Sequence, residues 1–131
     1  MISGAVLIVD DNPINLKLAR VVLSAEGLEV RTAMSAEEAL TVLETFTPRL
    51  ILMDIQLPGL DGLELTRQLK RDPERHDIIV LALTAYAMKG DMERALAAGC
   101  DGYMSKPIDP GTLCTVVERH LQSQAHTKND D

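Results

Sequence analysis

The chain has 131 residues, 46% of them apolar, which suits one compact domain with a real core and excludes global disorder. Thirteen basic against twenty acidic residues leave a net charge of −7, and aromatics are only 2%, so direct nucleic-acid binding and anionic membrane surfaces are disfavoured. Cys100 and Cys114 form neither a disulfide framework nor a metal spacing, the opening MISGAVLIVDD has no basic leader, and no apolar run reaches membrane-spanning length. A cytoplasmic chain with reduced thiols and no membrane insertion is expected.

The first apolar run, Ala5–Val9, reads as a strand and ends in the pair Asp10 and Asp11. Asn12 is placed to cap a helix over 13–26, with Pro13 at its first position and Gly27 as its stop. Residues 28–32 alternate weakly and predict a second, shorter strand. Ser35-Ala36-Glu37-Glu38 is a capping box that opens a helix to about Phe46, and Pro48 forbids its continuation. Residues 50–53 form a third strand with Asp54 at its exit, followed by the Pro58, Gly59 and Gly62 loop. A helix follows over 63–71, with Leu65 and Leu69 four apart. Residues 78–83 make a fourth strand that Thr84 closes. Lys89–Ala98 is a helix stopped by Gly99, and Gly102–Ser105 is a fifth strand leading to Lys106 and Pro107. Asp109 caps a last helix from Pro110 to about Leu121, and the tail over 122–131 is polar and expected to fray.

Alternation of five strands and five helices at these lengths predicts an α/β fold with a parallel sheet and helices on both faces. Strands that lack polar alternation agree, because parallel strands are covered on both sides. Right-handed crossovers then leave only a few doubly wound orders.

A parallel sheet brings the C-terminal ends of its strands to one edge, where ligands bind in open α/β sheets. Asp10, Asp11, Asp54, Thr84 and Lys106 all stand at such ends. Three clustered carboxylates repel one another unless they share a cation, and a hard divalent ion with oxygen ligands relieves that repulsion. Lys106 supplies a compact positive charge for a phosphate oxygen, and Thr84 a hydroxyl for the same group. Each residue has a plain alternative: the aspartate pair as a helix cap, Asp54 as a turn residue, Thr84 as a strand end, Lys106 as a solvated cation. That all of these hold at once, each at a strand end, is the less economical reading.

The segments VDDNPIN (residues 9–15), LMDIQLPGLDG (52–62), ALTA (82–85) and GYMSKP (102–107) resemble the receiver domain of two-component response regulators, in order and spacing, over about residues 5–121. The resemblance implies a flavodoxin-like fold, doubly wound in the order 2-1-3-4-5, with a receiver over 1–121. It implies that Asp54 is the phosphoacceptor. Asp11 and Asp54, with the backbone carbonyl of Gln56, would bind Mg²⁺ or Mn²⁺ directly, and Asp10 through a metal-bound water. Lys106 would bridge to the acceptor carboxylate and then to its phosphoryl group, and Pro107 would follow a cis peptide bond. Thr84 would move toward a phosphoryl oxygen and Tyr103 turn inward, rearranging the surface of the fourth helix, fifth strand and fifth helix. Gln56 and Tyr86 stand where the family tunes hydrolysis.

The implied partners are a sensor histidine kinase or a histidine phosphotransfer protein, and a downstream protein target. The first helix carries a wider apolar arc than packing on a sheet needs. That surplus reads either as deep packing or as a docking face for a partner's helices. His76, His120 and His126 read as solvated, which argues against a histidine phosphodonor. Cys114 is expected at the edge of the last helix.

Other classes fit less well. An aspartate-nucleophile phosphatase places its nucleophile after the first strand with a second aspartate two residues on, where this chain has Asn12 and no cap domain. A nucleotide or flavin module needs a glycine-rich or hydroxyl-rich phosphate loop, and DDNPIN is its electrostatic opposite. A receiver excised from a hybrid histidine kinase keeps the same chemistry, and the start at Met1 with the polar tail favours a stand-alone chain over it.

Overall fold

Strands covered on both faces need apolar residues at every position, and the sequence supplies them in three places: 6–9, 50–53 and 79–83. The computed structural model describes residues 4–55, 62–84, 89–106 and 108–129, with backbone alone at 89, 91 and 123–129. It runs β1 (Ala5–Val9), α1 (Pro13–Ala25), β2 (Glu29–Ala33), α2 (Ala36–Leu43), β3 (Leu50–Asp54), α3 (Gly62–Arg71), β4 (Ile79–Thr84), α4 (Lys89–Ala98), β5 (Gly102–Ser105) and α5 (Pro110–Asn129). The strands form one parallel sheet in the order β2-β1-β3-β4-β5, the doubly wound order that the motifs imply.

Side chains alternate across a strand, so each central strand feeds two cores. Val6, Ile8, Leu50, Leu52, Leu81 and Leu83 face Leu16, Ala19 and Leu23 of α1 and Leu113, Val117 and Leu121 of α5. Leu7, Val9, Ile51, Met53, Val80 and Ala82 face residues of α2, α3 and α4, among them Ala39, Leu65, Leu69 and Ala95. The three inner strands are thereby sealed from water, and only their ends are left for chemistry.

Local sequence explains the helix ends. The Asn12 side chain accepts hydrogen bonds from the backbone N–H of Ile14 and Asn15 at the start of α1. Gly27, just past that helix, has φ of 91°, a conformation that costs glycine little. Ser35 Oγ accepts from Glu38 N at 3.0 Å, the first half of a capping box.

Several element boundaries differ from the sequence reading. β2 begins and ends one residue later, since its register with β1 runs from Ala5 and Glu29 to Val9 and Ala33. β3 and β4 each extend to take in the polar residue at their exit, Asp54 and Thr84. α2 stops at Leu43 and not near Phe46, because Phe46 turns into the core with the Arg31 guanidinium 5.1 Å from its ring centre. α5 continues past Leu121 to Asn129, where no glycine or proline interrupts the chain. His120 also departs from expectation. It is half-buried, its Nδ1–H donates to the Val116 carbonyl at 2.9 Å, and its ring lies over Gly102 of β5.

Candidate functional site

Parallel pairing fixes the point at which each strand leaves the sheet. The ladder continues one step past β1, β3 and β5: Asp10 N–H donates to Ala33 O at 3.1 Å, Ile55 N–H to Leu83 O at 3.1 Å, and Lys106 N–H to Thr84 O at 2.8 Å. These bonds hold Asp10, Asp54, Thr84 and Lys106 on one edge, with their backbones set by the sheet rather than by loops. Within β4 and β5, Thr84 pairs with Ser105, and Asp54 of β3 pairs with Leu83.

The side chains meet there. Lys106 Nζ is 2.8 Å from Asp54 Oδ2 and 3.3 Å from Asp10 Oδ2. Asp10 and Asp54 are buried at 0% and 1% exposure, and Thr84 at 1%. Asp11 is exposed at the rim. One carboxylate oxygen from each of Asp10, Asp11 and Asp54 lies within 4.8 Å of the others. Burial pushes the Lys106 ammonium pKa down, but the hydrogen bond and charge of Asp54, joined by Asp10, outweigh it and raise the value above the usual lysine range.

Hard oxygen donors on two buried floors and one exposed rim make a donor set that fits a divalent cation with an entry path from solvent. The charged groups on this edge suit a small, highly charged ligand.

Two further contributions were not read from the sequence. Asp10 Oδ1 accepts the Asn12 N–H at 2.9 Å, and Asp10 Oδ2 accepts from Asn15 Nδ2 at 3.3 Å. Asn12 therefore serves both the helix cap and the acidic pair, and Asn15, one turn along, was hidden in a stretch read for its apolar arc. The second is Gly62. A Cβ there would stand 2.3 Å from the Asp54 carbonyl oxygen and 2.9 Å from Met53 Cγ, so α3 can begin directly against β3 only with glycine at that position. Thr66 Oγ1 donates back to the Gly62 carbonyl at 2.7 Å and fastens that first turn.

The other expected residues fall as follows. Tyr103 lies on β5 at 40% exposure, at the surface and not packed inward. Gln56, Tyr86 and Pro107 lie outside the described residues. Cys100 is buried and Cys114 half-buried, and burial pushes both thiols up, so neither is an activated nucleophile. Cys114 Sγ–H donates to Glu26 Oε1 at 3.7 Å, between α5 and the end of α1.

Comparison with known proteins agrees with this fold. The family model described as the response regulator receiver domain matches residues 6–118. The polar-differentiation response regulator DivK of Brucella ovis is 46% identical over 119 residues, covering 91% of this chain and 97% of the relative. Among solved structures, a CheY-like response regulator receiver domain protein from Methanospirillum hungatei superposes with a TM-score of 0.87 at 32% identity, over 96% of this chain and 99% of its own. The chemotaxis response regulator CheY4 of Vibrio cholerae superposes with a TM-score of 0.85 at 26% identity, over 90% and 98%.

Proposed function

The chain belongs to the response regulator receiver domain family of two-component signalling, and on that premise we propose that it is a phosphorylatable switch whose acceptor is Asp54. The observation that carries the reading is the position of Lys106 Nζ, 2.8 Å from Asp54 Oδ2 and on the same edge as Asp10 and Asp11. A carboxylate held beside one ammonium and two further carboxylates is arranged to receive a phosphoryl group together with a cation.

In the proposed reaction an Asp54 carboxylate oxygen attacks the phosphorus of a phosphohistidine on a sensor kinase or a histidine phosphotransfer protein. The P–N bond breaks as the new P–O bond forms, and the imidazole leaves and regains its proton from solvent. Asp11 and Asp54, with the Gln56 carbonyl, would hold Mg²⁺, Asp10 would act through a water, and the ion would supply charge neutralisation for the transferring group. Lys106 follows the charge from the carboxylate to a phosphoryl oxygen, with little reorganisation because its backbone N–H is fixed to Thr84.

The product adds negative charge and strong acceptor oxygens. Thr84, at the last position of β4, donates to one of them, and Tyr103 leaves the surface for the space beside β4. The face formed by α4, β5 and α5 then presents a different surface to a downstream protein target. Signalling is thus the output, and the chemistry serves its own phosphorylation and dephosphorylation only.

α1 supports docking of the phosphodonor. Ile14 is 76% and Val21 56% exposed, and with Pro13, Lys17 and Leu18 they line an open groove of about 630 Å³ next to the acidic pair. Of the apolar surplus of this helix, Ile14 and Val21 stand at the surface, while Leu18 and Val22 pack partly against the core. No helix among the described residues is long and apolar enough to cross a membrane, and a cytoplasmic location is part of the proposal.

The test is to incubate the protein with Mg²⁺ and a small-molecule phosphodonor and to measure its intact mass. A gain of one phosphoryl group is expected, abolished by Asp54→Asn or by chelating the metal. A gain that survives Asp54→Asn overturns the assignment.

A further inference from the structure

The Asp10 carboxylate is held on both oxygens by its own chain. Oδ1 accepts the Asn12 N–H at 2.9 Å, and Oδ2 accepts Asn15 Nδ2 at 3.3 Å while facing Lys106 Nζ at the same distance. Ionised carboxylates only accept, so the Asn15 amide must turn its NH₂ toward Asp10. Asn15 is half-buried on the first turn of α1 and is the donor from that helix's side chains to the acidic pair among the described residues.

We infer that Asn15 is a positioning residue for the cation site, acting through Asp10. The inference rests on the Mg²⁺ reading of that site. Lys106 is shared between Asp10 and Asp54, and it must turn to a phosphoryl oxygen when Asp54 is modified. Asp10 Oδ2 then keeps only the Asn15 amide. Asn15 therefore keeps the carboxylate plane the same in both states, with its free lone pairs aimed at the cation's water shell. A carboxylate held only at Oδ1 can swing about its Cβ–Cγ bond and loses that aim. Donors that orient ligands in this way are worth about 10–100-fold in metal affinity, and for a ligand acting through water the low end, about tenfold, is expected.

The test uses the full unphosphorylated chain and Mg²⁺ alone, titrated by calorimetry, with thermal unfolding recorded in the presence of a chelator. Asn15→Ala should weaken Mg²⁺ binding about tenfold without lowering the metal-free unfolding temperature, since alanine is the better helix former. Asn15→Gln, which keeps the amide donor, should recover most of the affinity. Wild-type affinity in Asn15→Ala overturns the inference and leaves the metal reading standing. A lower metal-free unfolding temperature in Asn15→Ala, with no recovery in Asn15→Gln, marks a purely structural role and also overturns it. Absence of Mg²⁺ binding by the wild-type protein brings down the metal reading and this inference together.

Discussion

Lys106 Nζ stands 2.8 Å from Asp54 Oδ2 and 3.3 Å from Asp10 Oδ2, so one ammonium from the end of β5 ties together the ends of β1 and β3. Its side chain is 18% exposed, against 0% and 2% for the two carboxylates. The anions are thus more deeply buried than the cation that balances them. Replacing Lys106 by Met keeps the stem and removes the charge. Stripping one partner from a fully buried pair costs about 3–5 kcal/mol, and the solvent opening at Lys106 reduces this to about 1–3 kcal/mol. Urea unfolding at neutral pH in the absence of divalent ions should show that loss, and full retention of wild-type stability would contradict it.

The same contact sets a pH dependence. The folded pKa of Lys106 lies above its ordinary value of 10.5. Folded protein therefore holds that proton more tightly than the unfolded chain does. The resulting stability is fully present below pH 10.5 and is lost as pH rises through the folded value. The stability gap between wild type and Lys106→Met should be constant through neutral and mildly alkaline pH and close only above 10.5. A gap that closes on acidification alone would assign the coupling to the carboxylates.

Gly62 sets the distance between α3 and β3. An alanine Cβ would meet backbone at Asp54 O, 2.3 Å away, where no flexible side chain can yield. Gly62→Ala should destabilise by about 1–3 kcal/mol, as overpacking in a close-packed interior does. Because the displaced atom belongs to Asp54, phosphoryl uptake from a small donor should slow in parallel. Denaturant midpoints and intact-mass time courses on the same sample check both, and unchanged values in either would show that α3 can shift freely.

The parallel sheet was legible because its signals are local. Uninterrupted apolar runs at 6–9, 50–53 and 79–83, each closed by a polar residue, place Asp10, Asp54 and Thr84 at strand exits with no knowledge of what neighbours them. Right-handed crossovers then bring those exits together. What escaped was set by tertiary contact. Phe46 leaves α2 for the core, Gly62 faces a backbone eight residues back in sequence, and His120 packs over Gly102. Asn15 lies between, since its one-turn spacing from Asp11 is visible in sequence while its amide's partner is not. The end of α5 was misplaced because a polar sequence without glycine or proline is compatible with both helix and frayed tail.

At the opposite end of the sheet, Asp101 Oδ2 accepts the Val80 N–H at 2.8 Å and Lys70 Nζ at 2.9 Å. Val80 is buried and Asp101 lies at the surface, so the backbone bond and the ion pair differ in worth. Asp101→Ala strands a buried N–H and should cost about 1–3 kcal/mol. Asp101→Asn keeps an acceptor oxygen and gives up a partly exposed ion pair, for about 0–1 kcal/mol. Phosphoryl uptake should be normal in both. Equal losses in the two variants would mean that the ion pair, not the backbone bond, carries the stabilisation.

Asp11 offers the cleanest test of the cation. It is exposed, unlike Asp10 and Asp54, and one of its oxygens lies within 4.8 Å of one from each of them. Without metal, Asp11→Asn removes one of three mutually repelling charges and should leave stability unchanged or slightly raised. With metal, the outcome reverses. A cation that binds only the folded chain stabilises it by about 2.7 kcal/mol at a hundred times its dissociation constant. Wild type should therefore gain unfolding temperature steadily as Mg²⁺ is added, and Asp11→Asn should gain far less at the same concentrations. The crossing of the two curves is the diagnostic feature, because a general salt effect would move both proteins alike. Parallel curves would mean that the three carboxylates do not share an ion.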